Sequence, residues 1–324
     1  ITASYAIAAH GVETGIMDKA LDGFAVALRV FAQNITAKFA LPVSFSPEDQ
    51  LKEPVAVLLK AIGDAIHLKV EVVTEVHVTD LAGRPDIGVA VKSLLTGHVE
   101  LKAPGKGANT IRLRGADRRQ WEKFKDLPNL VYTDGNEWAL YRNGERVGKL
   151  VRLSGDVTSD GGDAVSVADA EALLELLRDF LFWEPVTPST AHALAEMLAP
   201  ICRLLRSDVL DAIQDPDSNL GGLAADWRLY LFPDADDMQF ADAYAQTLTY
   251  ALLLAQLSGA DSLSVPDAAK AIRGGHQLLA DALKILGYEA ARQEIEVPVS
   301  LLERMIAAVD PSVLLRKSTD PWLY

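Results

Sequence analysis

The sequence predicts an α/β domain, a mixed β-sheet flanked by helices, followed by an all-α domain. Helical patterns and short valine-rich strand patterns alternate in the first half, whereas helical patterns fill most of the second half. The 324 residues are enough for two hydrophobic cores, and 49% hydrophobic residues is typical of globular proteins. Composition changes in the Gly-, Asp- and Ser-rich stretch 154–163, so we expect domains at 1–155 and 156–324.

The first domain is predicted to begin with two helices. Apolar residues at helical spacing predict the first helix over 21–40. The second begins near Ser46, which suits the N-cap, with Pro47 at the first helical position and Asp49 as a capping-box acid. Pro54 falls inside this helix, where a proline removes a backbone donor and can bend the axis.

Six short strands and one further helix complete the first domain. Alternating and β-branched residues predict strands at 68–78, 86–92, 98–103, 129–133, 137–142 and 147–153. A turn near Thr96 and Gly97 is expected to join the second and third strands, and a helix is expected at 118–127, before Pro128. The predicted order is therefore α-α-β-β-β-α-β-β-β.

The second domain is predicted to be a helical bundle. Apolar periodicity predicts helices at 168–182, 189–213, 240–257, 267–286 and 299–309. The sequence has a single cysteine, Cys202, which excludes an internal disulfide and a multi-cysteine zinc site. Cys202 lies in an apolar helical stretch and is therefore predicted to be a core residue. No run of about 18 uncharged apolar residues and no leader pattern occur, so we expect no membrane partner and a cytoplasmic location.

The net charge of −14 conceals an uneven distribution. Residues 155–324 carry 11 basic and 27 acidic side chains, whereas the first 154 residues carry 20 and 18. Within 102–125, eight basic side chains accompany two acidic ones, which favours a phosphate-contacting surface over a merely solvated helix and loop. The candidate contact residues are Lys106, Arg112, Arg114, Arg118, Arg119 and Lys123.

Asp86 and the tripeptide Glu100-Leu101-Lys102 form a candidate catalytic set. Side chains alternate along a strand, so Glu100 and Lys102 are expected side by side, and a hairpin can bring Asp86 to them. Two carboxylates and the Leu101 carbonyl offer the oxygen ligands that Mg²⁺ prefers, and the lysine can orient or deprotonate a water. The set supports metal-assisted phosphodiester hydrolysis, and the alternative is an exposed salt bridge at a strand edge.

The residues PGKG at 104–107 follow this set directly. Glycine lets backbone amides approach an anion, so the stretch can act as a phosphate cradle, and a flexible turn is the alternative. In either case Lys106 adds to the positive surface.

Three stretches together resemble a known family: RPDIGVAV, VELKAPGKG and QWEKFKDLPNLVYTDGNEWALYRNGE. They resemble the N-terminal nuclease domain of large single-chain restriction-modification enzymes of type ISP or IIG, within the PD-(D/E)xK nuclease superfamily. The resemblance implies a restriction-endonuclease-like fold. It also implies Asp86 and Glu100 as metal ligands and Lys102 as the catalytic lysine, with Mg²⁺ as the metal and Mn²⁺ able to substitute.

The same resemblance implies two further catalytic residues. Many members carry a glutamine on the following helix, for which Gln120 occupies a suitable place. Many also carry an acid on the N-terminal helix, for which Glu48 is the first candidate and Glu53 the second. Each has a structural alternative, because an acid stabilises the start of a helix and a glutamine suits a helix surface.

The second half resembles the helical spacer of these enzymes through FADAYAQTLTYALLLAQLSGA, and DPWLY resembles the junction with their adenine-specific methyltransferase domain. The methyltransferase signatures, an Asn-Pro-Pro-Tyr-type tetrapeptide and a Gly-rich cofactor loop, do not occur. We therefore expect S-adenosylmethionine to bind only in a methyltransferase domain outside this sequence.

These observations favour a Mg²⁺-dependent endonuclease module of a restriction-modification or related phage-defence enzyme. Its expected partners are double-stranded DNA and the methyltransferase and target-recognition domains of the same full-length chain. The alternative is a catalytically latent DNA-binding or interaction platform that couples to a methyltransferase or another partner domain. The intact Asp-Glu-Lys set favours the enzyme.

Overall fold

The computed structural model describes residues 2–41, 46–74, 85–91, 94–185, 187–188, 190–215, 217–230 and 233–312. These residues form two compact units, one from the described parts of 1–77 and 85–184 and the other from those beyond 184. The first unit combines a sheet with helices and the second is all-α, so the predicted fold class is confirmed.

A six-stranded mixed sheet forms the centre of the first unit. Its strands are β1 Val70–Thr74, β2 Ile87–Val91, β3 Leu94–Leu101, β4 Leu130–Thr133, β5 Glu137–Arg142 and β6 Glu145–Arg152. The helices of this unit are α1 Thr2–Phe39, α2 Asp49–Ala65, α3 Gly115–Phe124 and α4 Val167–Leu181, with single 3-10 turns at Thr110–Arg112 and Gly161–Ala164. The strands lie in chain order, and β3 pairs with β4 in parallel, while the other neighbours are antiparallel. A parallel pair needs a crossover connection, which here contains α3.

The two faces of the sheet have different character. On one face, α1, α2 and α4 bury an apolar core. On the other face, α3 packs through Trp121, whose ring lies edge-on to Tyr132 and Tyr141 at centroid distances of 5.5 and 4.9 Å. Polar side chains can therefore gather beneath α3 without interrupting the apolar core.

The observed order of helices and strands through β6 matches the prediction for the first domain, but the helix starts differ. α1 begins at Thr2 and not at residue 21. α2 begins at Asp49, and its N-cap is Glu48, which makes no side-chain capping bond. Ser46 is therefore not the N-cap, and the Glu48 carboxylate can contact groups outside its helix.

The turn predicted at Thr96 and Gly97 is wrong, because both residues lie within β3. A Cβ atom on Gly97 would lie 2.5 Å from the Asn129 backbone oxygen and 2.7 Å from the Phe180 ring. Glycine is required there by close packing and not by a turn. The strand predicted over 68–78 ends at Thr74, and the rest of that range lies outside the described residues.

The first unit extends to Glu184, beyond the boundary predicted at 155. The reason is that α4 packs against the sheet and buries Leu173, Leu177 and Phe180 in the first core. The predicted linker 154–163 is also part of this unit. There, the Thr36 hydroxyl donates to the Val157 carbonyl at 2.7 Å and accepts from the Gly161 amide at 2.9 Å.

The second unit consists of helices, and its boundaries also differ in part from the prediction. Its helices are α5 Ala191–Ala212, α6 Asn219–Tyr230, α7 Asp237–Leu257, α8 Val265–Ile272, α9 Gln277–Leu286, α10 Glu289–Glu294 and α11 Glu296–Ala307. The single helix predicted at 267–286 is two helices, separated at Gly274 and Gly275, because glycine disfavours a helix interior.

Cys202 is half-buried, with its sulfur 3.2 Å from the Thr249 hydroxyl. None of the helices in the described residues is long and apolar enough to cross a membrane.

Two glycine substitutions test the packing of β3 beneath α4. We expect Gly97→Ala to lower the free energy of unfolding by about 1–3 kcal/mol, because its Cβ would overlap Asn129 and Phe180. Gly23→Ala in α1 is the matched control, since a Cβ there meets no atom within 4 Å, and it should stabilise the chain by about 0.5–1 kcal/mol. Chemical denaturation measures both changes, and an unchanged stability of Gly97→Ala would contradict this packing.

Candidate active site

The pairing of β2 with β3 brings the predicted acids together. Ile87 pairs with Val99 and Gly88 with His98, so Asp86, one residue before β2, falls opposite Glu100. The Asp86 carboxylate accepts a hydrogen bond from the Leu101 amide at 2.8 Å. The register therefore places both carboxylates on the α3 side of the sheet.

Lys102 lies at the centre of this cluster. Its Nζ donates to Glu100 Oε1 and to Gln120 Oε1, each at 2.7 Å. It also lies 3.9 Å from an Asp117 carboxylate oxygen and 5.8 Å from the centre of the Tyr132 ring. The lysine side chain is 1% exposed, so contacts from β3, α3 and β4 fix its ammonium group.

Glu48 joins the cluster from the start of α2. Its Oε1 accepts a hydrogen bond from the Ala103 amide at 3.1 Å and lies 3.7 Å from the Lys106 ammonium. Glu53, the second candidate, points elsewhere and pairs with Lys38 at 2.6 Å. Of the two acids, the structure brings only Glu48 to the other predicted residues.

The buried acids of the cluster resist ionisation. Desolvation, followed by the nearby Asp86 charge, raises the pKa of Glu100 to about 8, although Lys102 opposes the shift. Desolvation also raises the pKa of Asp86, although the hydrogen bond from the Leu101 amide and the charges of Lys52 and Lys102 lower it. The neighbouring ammonium groups therefore do not fully compensate the buried carboxylates.

These residues fit a hard cation by their chemistry. Glu100 Oε2 is buried and accepts no hydrogen bond from any described residue. A divalent ion would supply the missing positive charge, and Asp86 and Glu100 would be its carboxylate ligands. In the described part of the chain, no three His, Cys, Asp or Glu side chains group closely enough to hold a metal ion. The Leu101 carbonyl, water and substrate oxygens would have to complete the coordination.

The predicted phosphate contacts lie on the 3-10 turn, on α3 and in the loop before them. Arg112, Arg114, Arg118 and Arg119 are exposed, Lys106 is 45% exposed and Lys123 is half-buried. Some already have internal partners. Arg114 donates to the carbonyls of Ile111 and Leu113, and Arg118 pairs with Glu122. A phosphate would therefore add to or replace these weak surface contacts.

The residues 104–107 do not form an open phosphate cradle. The amides of Gly105 and Gly107 both donate to Asp134 Oδ2, at 3.0 and 2.8 Å. The stretch is a turn held by a buried carboxylate, and only the Lys106 side chain projects toward the cluster.

Sequence reasoning missed Asp117, Asp134 and Lys52 as neighbours of the site. Asp117 lies one helical turn before Gln120, and Lys52 lies one turn after Glu48, so helical spacing was an available signal for both. Lys52 Nζ is 3.5 Å from an Asp86 oxygen. For Asp134, the Asp-Gly pair indicates a local turn, and its carboxylate does accept from the Asn136 and Glu137 amides. No local pattern indicates its contacts with Gly105 and Gly107, which lie 29 and 27 residues away.

No protein-family model matches the sequence, and no curated protein matches it. Among solved structures, a chain described as "cryoEM structure DrdV-DNA complex" matches with a TM-score of 0.34 and 20% sequence identity. The match covers 88% of this chain and 26% of that chain, so this chain spans about a quarter of its length.

The raised pKa of Glu100 predicts a pH-dependent loss of stability. Folding raises its carboxyl pKa from 4.5 to about 8, so the folded state binds this proton more tightly. The contribution of Glu100 to the free energy of unfolding is therefore largest below pH 4.5 and decreases as the pH rises toward 8. Above pH 8 it no longer changes. Glu100→Gln cannot ionise. Its free energy of unfolding, relative to the unsubstituted protein, should therefore rise by at least about 1 kcal/mol between pH 5 and 8.

Denaturant titrations in EDTA at several pH values measure this difference. Titrating groups that do not interact with Glu100 are common to both proteins and cancel in the comparison. Parallel stability curves across this pH range would show that Glu100 has an ordinary pKa.

Proposed function

We propose that the first unit is a Mg²⁺-dependent DNA endonuclease module that hydrolyses phosphodiester bonds. The observation that supports this most strongly is the meeting of Asp86, Glu100 and Lys102 beneath α3. Glu48 and Gln120 join them from two separate helices. These residues come from four different parts of the fold, and burying their charged groups costs folding free energy. Buried acids with raised pKa values are typical of functional sites.

The reaction is the attack of water on a DNA phosphorus atom. A P–O bond to the water oxygen forms, the P–O bond to the leaving sugar oxygen breaks, and that oxygen takes up a proton. When bound, Mg²⁺ would stabilise negative charge on the phosphate and lower the pKa of a water. Asp86 and Glu100 would bind this ion, and Mn²⁺ would have the same oxygen ligands available.

Lys102 is suited to act on the water or on the phosphate. An ammonium group has three N–H donors, and Glu100 and Gln120 accept two of them. The third can donate to the attacking water or to a phosphate oxygen, where positive charge stabilises the transition state. Gln120 orients the ammonium group, and Glu48 fixes the backbone just after Lys102 through the Ala103 amide.

Double-stranded DNA is the proposed substrate because of the basic side chains around this cluster. α3 supplies Asp117 and Gln120 to the site from one side and presents Arg118 and Arg119 to solvent. Lysine and arginine contacts to phosphates are independent of base sequence and position the duplex. A duplex bound along α3 would therefore lie next to Lys102.

The second unit is proposed to be a spacer in a longer restriction-modification or phage-defence enzyme. The stretch that resembles the family spacer lies in α7 and just beyond it. A methyltransferase domain, which would bind S-adenosylmethionine, and a target-recognition domain would be its partners. These proposals rest on the sequence resemblance.

A latent DNA-binding platform is the second candidate function. It is favoured by the near-complete burial of Glu100 and Lys102 and by the high pKa of Glu100, which keeps that carboxyl protonated at neutral pH until a cation binds. Under this alternative the chain binds DNA and does not cleave it.

Plasmid cleavage distinguishes the two functions. With Mg²⁺ and unmethylated supercoiled plasmid, we expect nicking or linearisation that Glu100→Ala and Lys102→Ala each reduce by at least about 100-fold, a loss typical of catalytic groups. Lys149→Ala, an exposed lysine on β6 of the same sheet, is the matched control and should retain full activity. Circular dichroism verifies that each variant is folded. Full activity in both active-site variants would exclude this site, and DNA binding without cleavage by the unsubstituted protein would favour the platform.

A further inference from the structure

A buried carboxylate organises the loop 104–110 that follows β3. Asp134, at the end of β4, is 2% exposed. Its Oδ2 accepts from the amides of Gly105 and Gly107, at 3.0 and 2.8 Å. Its Oδ1 accepts from the amides of Asn136 and Glu137, at 3.0 and 2.7 Å. One carboxylate thus joins the β4–β5 turn to the residues on either side of Lys106.

The remainder of this loop is attached to β5. Glu137 Oε2 accepts from the Ala108 amide at 3.1 Å. The Tyr141 hydroxyl accepts from the Thr110 amide at 3.2 Å and donates to the Ala108 carbonyl at 2.9 Å. A Cβ at Gly107 would lie 2.5 Å from Glu137 Oε2, so another residue there would have to displace the carboxylate that binds the Ala108 amide.

Because the residues on both sides of Lys106 are held by Asp134, the lysine has a defined position. Its Nζ lies 2.8 Å from an Asp117 oxygen and 3.7 Å from a Glu48 oxygen. Gly105 and Gly107 have φ values of +88° and +76°, and glycine at such positions leaves an unattached loop free to adopt many conformations. Asp134 removes that freedom on both sides of the lysine. The Lys106 ammonium is therefore presented at the exposed edge of the cluster that contains buried Lys102.

We propose that Asp134 is a positioning residue that acts through Lys106, setting its ammonium group to contact a DNA phosphate next to the cleavage site. This inference rests on the proposed function, since it assumes that the first unit binds DNA. The ion pairs of Lys106 with Asp117 and Glu48 are partly exposed, so exchange of these carboxylates for a phosphate is inexpensive. The advantage of a fixed loop is that little conformational entropy is lost when the phosphate binds.

The sign of the expected effect separates positioning from simple electrostatics. Asp134→Asn removes a negative charge, which by Coulomb's law alone would strengthen DNA binding. Positioning predicts the opposite, because the asparagine NH₂ group cannot accept from the amides that one carboxylate oxygen now binds. Binding should weaken, and the slope of log affinity against log salt should become shallower by about 0.9, the value for one lost phosphate contact.

The experiment is a double-substitution cycle of Asp134→Asn and Lys106→Ala, measured by DNA binding in Ca²⁺ or EDTA over a range of salt concentrations. If Asp134 acts through Lys106, the double variant binds no more weakly than Lys106→Ala alone. Asp169→Asn is the matched control, since Asp169 is a buried carboxylate of the same unit that accepts from the Ser154 and Ser166 amides. It should lose stability without weakening DNA binding.

A second readout needs no DNA. Trace acylation of lysines, followed by mass spectrometry, should label Lys106 several-fold faster in Asp134→Asn, because the amine leaves its carboxylate partners. Tyr141→Phe loses only the hydroxyl contacts at the far end of the loop, and it should increase labelling in the same direction by less. This variant keeps the proposal testable if Asp134→Asn fails to fold.

The outcomes are distinct. If Lys106→Ala leaves DNA affinity unchanged, the proposed DNA contact is wrong and the role of Asp134 is overturned with it. If Lys106→Ala weakens binding but Asp134→Asn does not, or if their effects add, the positioning role is wrong while the DNA proposal stands. Unchanged labelling of Lys106 in both Asp134→Asn and Tyr141→Phe would also overturn it.

Discussion

The buried hydrogen bond from the Lys102 ammonium group to Glu100 is the interaction on which the rest of the site depends. Removing the charge of Lys102 from water costs several kcal/mol, and its burial is tolerable only when further hydrogen bonds compensate. Gln120 supplies one from α3, and the ring of Tyr132 lies near the ammonium group. Because losing any of these contacts would strand a buried charge, the positions of β3, β4 and α3 are coupled to one another through a single lysine.

The two faces of the sheet have different roles: one face forms the hydrophobic core and the other holds the charged cluster. One face is apolar and is stabilised by α1, α2 and α4, so the hydrophobic core does not have to accommodate charge. The face beneath α3 holds acids that are incompletely compensated, as the raised pKa values of Asp86 and Glu100 indicate. A site with surplus buried carboxylate is stabilised by any cation that reaches it, so the same imbalance that costs folding free energy would favour metal binding.

The sequence anticipates the centre of the site better than its surroundings. Strand alternation alone places Glu100 beside Lys102, because that rule is local. The register that sets Asp86 opposite Glu100 does not follow from the sequence, since the predicted turn lies within β3 and the pairing shifts between Val89 and Ala90. Choosing Glu48 over Glu53 requires knowing where α2 lies against β3, which no local pattern contains. Asp134 and α4 show the same limit: the carboxylate binds amides far away in the chain, and an amphipathic helix does not reveal which core it will join.

Calorimetric titration with Mn²⁺ and Mg²⁺ tests the central claim, that Asp86 and Glu100 form one cation site, most directly. The account predicts binding to the unsubstituted chain with release of protons, because Glu100 must ionise, and loss of that binding in Asp86→Asn. Asp160→Asn, an exposed carboxylate of the same unit, should bind as the unsubstituted chain does. Binding that is unaffected by Asp86→Asn, or no binding by the unsubstituted chain, would contradict it.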